Sequence, residues 1–314
     1  MMSAQRQHNE APHGAYTDLP RLLEARYLAR QLDLHTRNAA LALLAGQQSS
    51  SRRGRGLDFD EVRKYYPGDD VRSIDWRVTA RTSDPHTKVF REERERPVLI
   101  ALDQRNSLFF GSQTCFKSVY AAELAAVLAW TALEAGDRVG GLISAEHDSI
   151  ELRPKASRSA VLHFLQRSLE ANRQLPNRSP STAMPMTQQL VALRRIARPG
   201  SHLILISDFA DYSTDADLKH LSALARHNRI TVCFISDPLE LEAPRAGVYP
   251  FTDGSSTGQL DTTSKTLSNA YELIVKQRLQ TLQTDCQGLG IPVIACSTVD
   301  PIGKVLRPLF GGSR

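Results

Sequence analysis

The chain has 314 residues, of which 41% are hydrophobic and 23% charged, enough for one large globular domain with an appendage. Its net charge of +5 is mild, and the arginines between Arg52 and Arg96 are nearly balanced by interleaved acids such as Asp58, Asp69, Asp70, Asp75 and Glu92. That mixture, with an aromatic content of 6%, argues against a nucleic-acid interface made from a basic stripe and stacking rings. Cys115, Cys233, Cys286 and Cys296 are scattered, with no CxxC pair and no histidine at ligand spacing. The expectation is a reducing compartment without structural zinc.

Residues 1–18 are polar and aperiodic and are expected to be a disordered tail. The tail lacks the apolar core of a signal peptide, and no run approaches the ~20 apolar residues that span a bilayer. The expectation is a cytoplasmic protein with no direct membrane span. From Leu19 to Ala45 the apolar residues recur at helical spacing, with a break admitted near His35. Gly46 ends that region, and QQSSSRRGRG follows as a basic loop. Arg52, Arg53 and Arg55 read as solvated; the other reading is contact with an anion.

Leu57 to Arg81 is the most unusual stretch. Phe59, Tyr65, Tyr66 and Trp76 alternate with charges of both signs around the turn Pro67-Gly68-Asp69-Asp70. Two readings stand: a structural tie, and a docking surface for another protein. No nucleophile–base pair lies in it.

The stretch Thr87 to Glu95 reads as an extended edge. Pro97 to Asp103 is a strand, apolar throughout. A helix with apolar residues nearly all round follows, from Phe116 to Trp130, with Glu123 as its odd charge. Strands at Val139–Ile143 and Ile150–Arg153 and a helix at Ser159–Leu169 come next. After a loop from Gln174 to Thr182 there is a helix from Thr187 to Ala197 and a strand from His202 to Asp208. Then come a helix from Asp215 to His227, a strand from Arg229 to Ser236, a β-hairpin insertion between Leu239 and Leu260, a helix from Leu267 to Gly288 and a strand from Ile291 to Ser297. The remainder reads as a loose tail. Apolar strands each followed by a helix predict an α/β fold, a doubly wound, mostly parallel sheet. The domains expected are a tail at 1–18, a helical and signature-bearing appendage at 19–96, the α/β domain at 97–300 and a tail at 301–314. No GxGxxG or GxxxxGK[ST] follows a strand, so nucleotide binding is not supported.

The stretch around Pro67 carries a resemblance. Gly56, Phe59, Arg63, Tyr65, Gly68, Asp69, Asp70, Arg72, Ile74, Asp75, Trp76, Ala80 and Arg81 match the signature of the domain-of-unknown-function 58 (DUF 58) family. The resemblance implies a von Willebrand factor A-like domain. It also implies partnership with a MoxR-type AAA+ ATPase, and with other von Willebrand A-like proteins, in chaperone-like assembly or activation of client proteins. That role is non-enzymatic.

Ligands of open α/β sheets sit beyond the carboxyl ends of the strands, where Asp103 and Asp208 fall. A von Willebrand A domain holds a divalent cation there through a D-x-S-x-S loop, a threonine and a later aspartate, all hard oxygen donors suited to Mg²⁺. Carried over, Asp103 and Ser107 match the first loop, Thr182 is the candidate for the second and Asp208 for the third. Arg105 stands where that motif has a serine, and a guanidinium cannot ligate a metal. Two readings remain. In the favoured one Arg105 pairs with Asp103 or Asp208, replacing the metal's charge in a degenerate site without a cofactor. The alternative is a divalent-metal-dependent ligand-binding domain or hydrolase using the Asp103/Asp208 site. Asp211 reads as part of a helix-entry loop.

Overall fold

The computed structural model describes residues 11–35, 58–65, 74, 76–82, 84–91, 95–146, 148–175, 184–242, 244–252 and 257–311, with some side chains in the strands and helices at 58–91 and 251–271 excepted. The chain forms two compact units, one from residues 1–48 and 96–314 and the other from residues 49–95.

The larger unit is built on a six-stranded sheet. Its strands are β3 (Pro97–Asp103), β4 (Arg138–Ser144), β5 (Ser149–Lys155), β6 (His202–Ser207), β7 (Arg229–Ser236) and β10 (Val293–Ser297), in the order β10-β7-β6-β3-β4-β5. All neighbours are parallel except β4 and β5. The central strands are apolar because both faces are covered. On one face Val98, Ile100, Leu102, Ile204, Ile206 and Cys233 meet helix α3 (Lys117–Glu134) and its neighbours. On the other, Leu99, Leu203, Leu205, Val232 and Phe234 meet α5 (Met186–Ile196), α6 (Thr214–Ala225) and α8 (Lys265–Gly288). The alternation of partners along one strand is the period-two geometry of β-structure.

Helix α3 is buried along nearly its whole length, which explains its all-round apolar composition. It is covered by α4 (Arg158–Gln174), by α1 (Leu19–Ala29) and by α9 (Ile302–Phe310). Three sequence expectations need correction here. The helical segment from Leu19 was assigned to the appendage, yet it belongs to the α/β unit: Leu22, Ala25, Leu28 and Ala29 are buried, and the Trp130 indole N–H donates to the Leu22 carbonyl at 3.0 Å. The stretch from 301 was expected to be a loose tail, yet Ile302, Leu306, Leu309 and Phe310 form a helical stripe buried in the same cluster. The apolar faces of these two segments are satisfied only by α3, a partner distant in sequence. Of the tail expected over 1–18, residues 11–18 are tied to the α/β unit, where the Gly14 N–H donates to the Thr114 carbonyl and the Thr17 N–H to the Asn172 side chain, and residues 1–10 lie outside the described residues.

The insertion between Leu239 and Leu260 contains the expected hairpin, β8 (Val248–Thr252) paired antiparallel with β9 (Thr257–Asp261), after a short helix α7 (Pro238–Leu241). The smaller unit contains an antiparallel pair, β1 (Asp58–Lys64) and β2 (His86–Arg91), and helix α2 (Trp76–Thr82). Ile74 bridges to Thr87, the Tyr65 N–H donates to the Pro85 carbonyl, and Lys64 pairs with Asp84 at 2.7 Å. The second half of the predicted helical region, up to Ala45, and the turn Pro67 to Asp70 lie outside the described residues.

Candidate functional site: the strand-end ion network

The apolar strands β3, β4, β6, β7 and β10 end on polar residues at one edge of the sheet: Asp103, Ser144, Ser207, Ser236 and Ser297. The connection after β3 runs to β4 on one side, and the chain later returns to β6 on the other. The opening between β3 and β6 is therefore a topological switch point. Asp103 and Asp208 stand there, both buried.

Arg105 fills the place between the first loop and the loop after β6. One edge of its guanidinium meets Asp103, with Nε 3.0 Å from Oδ1 and Nη2 2.8 Å from Oδ2. The other edge meets Asp211, with Nη1 2.8 Å from Oδ2 and Nη2 2.9 Å from Oδ1. Nη1 also donates to the Met184 carbonyl at 3.0 Å. The planar fork of arginine suits two carboxylates at once. Burial favours loss of the Arg105 charge, but Asp103 and Asp211 outweigh it and raise its pKa.

Lys117, in the first turn of α3, is the second cation. Its Nζ lies 2.8 Å from Asp208 Oδ2 and 2.7 Å from Glu240 Oε1. Burial pushes the Asp208 carboxyl up, but the Lys117 charge and hydrogen bond outweigh that and hold it below the usual carboxylate range. Ser107 donates its hydroxyl to Asp208 Oδ1 at 3.1 Å, and Ser207 donates to Asp103 Oδ2 at 2.7 Å. Asp237, at the end of β7, caps α7 and accepts from the Ser112 N–H, the Ser112 hydroxyl and the Thr298 hydroxyl.

The loop after β6 is held in an unusual shape. Phe209 has φ +50°, a left-handed conformation uncommon for a bulky side chain. Its ring stacks on Phe234 at 6.3 Å between centroids, and its N–H donates to the Ser207 hydroxyl at 2.9 Å. This turn carries the chain from Asp208, which faces Lys117, to Asp211, which faces Arg105.

Of the residues expected here, Asp103, Arg105, Ser107 and Asp208 come together; Thr182 lies outside the described residues. Arg105 does pair with Asp103. Its other carboxylate is Asp211, in the loop that leads into α6, and not Asp208. Sequence reasoning missed Lys117, Asp237 and Glu240. A lone lysine opening an apolar helix, and the Asp237-Pro-Leu-Glu240 capping pattern after a strand, were the available signals. Oxygens of Asp103 and Asp208 are turned towards Arg105 and Lys117. Among the described residues no group of three or more His, Cys, Asp or Glu side chains is arranged to hold a metal ion. The described residues do not fit a divalent cation at this edge.

Of the signature residues in the smaller unit, Arg63 lies on β1, Tyr65 follows it, Ile74 makes the bridge to Thr87, and Trp76 and Arg81 are exposed on α2. Gly68, Asp69, Asp70, Arg72 and Asp75 lie outside the described residues.

The class of protein is thus a doubly wound α/β domain with a six-stranded, mostly parallel sheet and two internal cations on its strand-end carboxylates. The chain belongs to the family described as "Protein of unknown function DUF58", whose model matches residues 61–280. It is 30% identical over 239 residues to uncharacterized protein Rv1480 of Mycobacterium tuberculosis, covering 76% of this chain and 73% of that one. The same figures hold for uncharacterized protein Mb1516 of Mycobacterium bovis.

Among solved structures, the chain is similar at 16% identity to the conserved hypothetical protein BatB from Bacteroides thetaiotaomicron, with a TM-score of 0.37 over 62% of this chain and 98% of that one. It is similar at 16% identity to an aerotolerance-related membrane protein from Bacteroides fragilis, with a TM-score of 0.40 over 68% and 96% of the two chains. A membrane-spanning protein from Vibrio fischeri matches at 14% identity, with a TM-score of 0.23 over 61% and 98%. These neighbours correct one expectation: two are described as membrane proteins, and a cytoplasmic location is not retained for this chain. Among the described residues, no helix is long and apolar enough to cross a membrane.

Proposed function

We propose that this chain is a non-enzymatic adaptor. In this reading it works with a MoxR-type AAA+ ATPase in the assembly or activation of client proteins. The observation that carries the proposal is the closed ion network: Arg105 is chelated by Asp103 and Asp211, and Lys117 by Asp208 and Glu240. Groups committed to each other in this way hold loops in a fixed shape, and they are poor candidates for moving protons or activating water. A rigid loop edge suits recognition of another protein; the smaller unit by itself exposes Trp76 of the signature stretch.

The test is affinity purification of the tagged protein from cells that make it, with identification of bound proteins by mass spectrometry. Recovery of an AAA+ ATPase, reduced by charge reversal at Asp69 and Asp70 or at Asp211, supports the adaptor reading. Absence of any AAA+ ATPase, or recovery indifferent to every reversal, overturns it.

A further inference from the structure

Glu123 is the one charge in the apolar middle of α3, and the strand-end network makes no use of it. It lies on the face of α3 that meets α1. There it lines a cleft of about 160 Å³ together with Pro12, His13, Arg21, Glu24, Leu28, Val127 and Ile302. A cavity of roughly 150 Å³ accommodates a ligand the size of benzene.

The cleft is chemically two-sided. Leu28, Val127 and Ile302 give it an apolar wall. Glu123 and Glu24 supply carboxylates, and Arg21 supplies a guanidinium. Glu123 accepts a hydrogen bond from the Thr17 hydroxyl at 3.2 Å. The Arg21 Nη1 stands 3.6 Å from it, beyond a close hydrogen bond, while the same nitrogen donates to the His13 carbonyl at 2.6 Å. Arg21 is thus shared between the N-terminal segment and Asp18 on one side and Glu123 on the other. It compensates the Glu123 charge only in part.

Burial accordingly raises the Glu123 carboxyl to about 7, against the opposing pull of Arg21 and Thr17. A mostly buried carboxylate, 15% exposed, whose cation Arg21 stands 3.6 Å away and is shared with the His13 carbonyl, beside an apolar wall and an open volume, favours a ligand that brings a compact positive charge on a short hydrocarbon stem.

We propose that this cleft is a binding site for a primary alkylamine, with its ammonium on Glu123 and its stem against Leu28, Val127 and Ile302. Glu24 adds to the negative field at the mouth. Arg21 stays with the His13 carbonyl and Asp18. This site is independent of the adaptor reading, since it lies on the helical face of α3 and not among the strand-end side chains.

The experiment is titration calorimetry of the full chain with n-pentylamine, 1-pentanol and pentanoate. The three probes share a stem and differ in charge. The expected order of affinity is amine, then alcohol, then carboxylate, and Glu123→Gln should weaken the amine about 10- to 100-fold while leaving the alcohol nearly unchanged. Amine binding near pH 7 should release a fraction of a proton, seen as a heat that depends on the buffer's ionisation enthalpy, and Glu123→Gln should abolish that dependence. His13→Ala controls for the imidazole at the same cleft.

If Glu123→Gln does not fold, the wild-type protein decides. Its affinity for the amine should rise between pH 6 and 8, and its affinity for the alcohol should not. Pentylamine binding no tighter than pentanol, or equally tight to Glu123→Gln, overturns the proposal.

Discussion

Lys117 and Asp208 meet at 2.8 Å with both side chains only 2% exposed, although 91 residues separate them in the chain. Removing one partner of such a pair strands the other charge without water, so Lys117→Met should destabilise the protein by about 3–5 kcal/mol. The Asp208 carboxyl is held below its unfolded value, so its contribution is complete above the ordinary carboxylate range and is lost as pH falls through the folded value. In Lys117→Met burial acts on Asp208 largely unopposed and raises its carboxyl, so the variant's deficit in urea unfolding should be greatest near neutral pH and should shrink as the pH falls and Asp208 takes up a proton. Combining Lys117→Met with Asp208→Asn should recover part of the loss. An unchanged unfolding midpoint in Lys117→Met would refute the buried pair.

Arg105 has carboxylates on both edges, Asp103 on the buried side and Asp211 on a side 37% exposed. Arg105→Ser frees both and restores the serine that a D-x-S-x-S loop carries. The variant should be less stable than wild type without divalent ions and should gain a Mg²⁺-dependent rise in Tm. A ligand at 100 times its Kd contributes about 2.7 kcal/mol by mass action. The wild-type Tm should not respond to Mg²⁺; a response there would restore the metal-dependent reading.

Glu123 is destabilising when ionised, because its folded value of about 7 lies above the ordinary 4.5. The folded state therefore holds more protons than the unfolded state between those values, and stability falls as pH rises from 4.5 to 7. Glu123→Gln removes that dependence. It should be more stable than wild type at pH 8, by up to roughly 3 kcal/mol, with the difference shrinking towards pH 4. Parallel unfolding curves at every pH would contradict the assignment.

Gly141 pairs with Ile100 in the centre of the sheet, and a Cβ built on it would stand 2.1 Å from the Ile100 carbonyl oxygen. That neighbour is backbone in a central strand and cannot step aside. Gly141→Ala should cost more than about 2 kcal/mol in urea unfolding, well beyond a typical surface substitution. A cost below that of a surface change would show that the pairing of β3 and β4 is looser than described.

Trp76 is 70% exposed on α2. Trp76→Ala should change stability by no more than about 0.5 kcal/mol, as for a surface site. If the signature stretch docks a partner, the same substitution should reduce recovery of the AAA+ ATPase. A large loss of stability with unchanged recovery would favour the purely structural reading of the stretch.

The sheet was legible in the sequence because strands covered on both faces must be apolar throughout, and β3, β6 and β7 are. The family signature was legible too, and residues 61–280 match that family's model. The strand-end aspartates could be read from position, because such strands point their carboxyl ends at one edge, and the obstruction at Arg105 from the D-x-S-x-S loop that the family resemblance implies. Tertiary structure decided the partners. Arg105 reaches Asp211 across 106 residues, and Lys117 reaches Glu240 across 123. No local period encodes a contact at that separation; it depends on which crossover returns to which strand and on a loop bent at Phe209. The placement of α1 and α9 on α3 was hidden for the same reason. An amphipathic helix announces that it will be buried, and only the assembled chain supplies the surface that buries it.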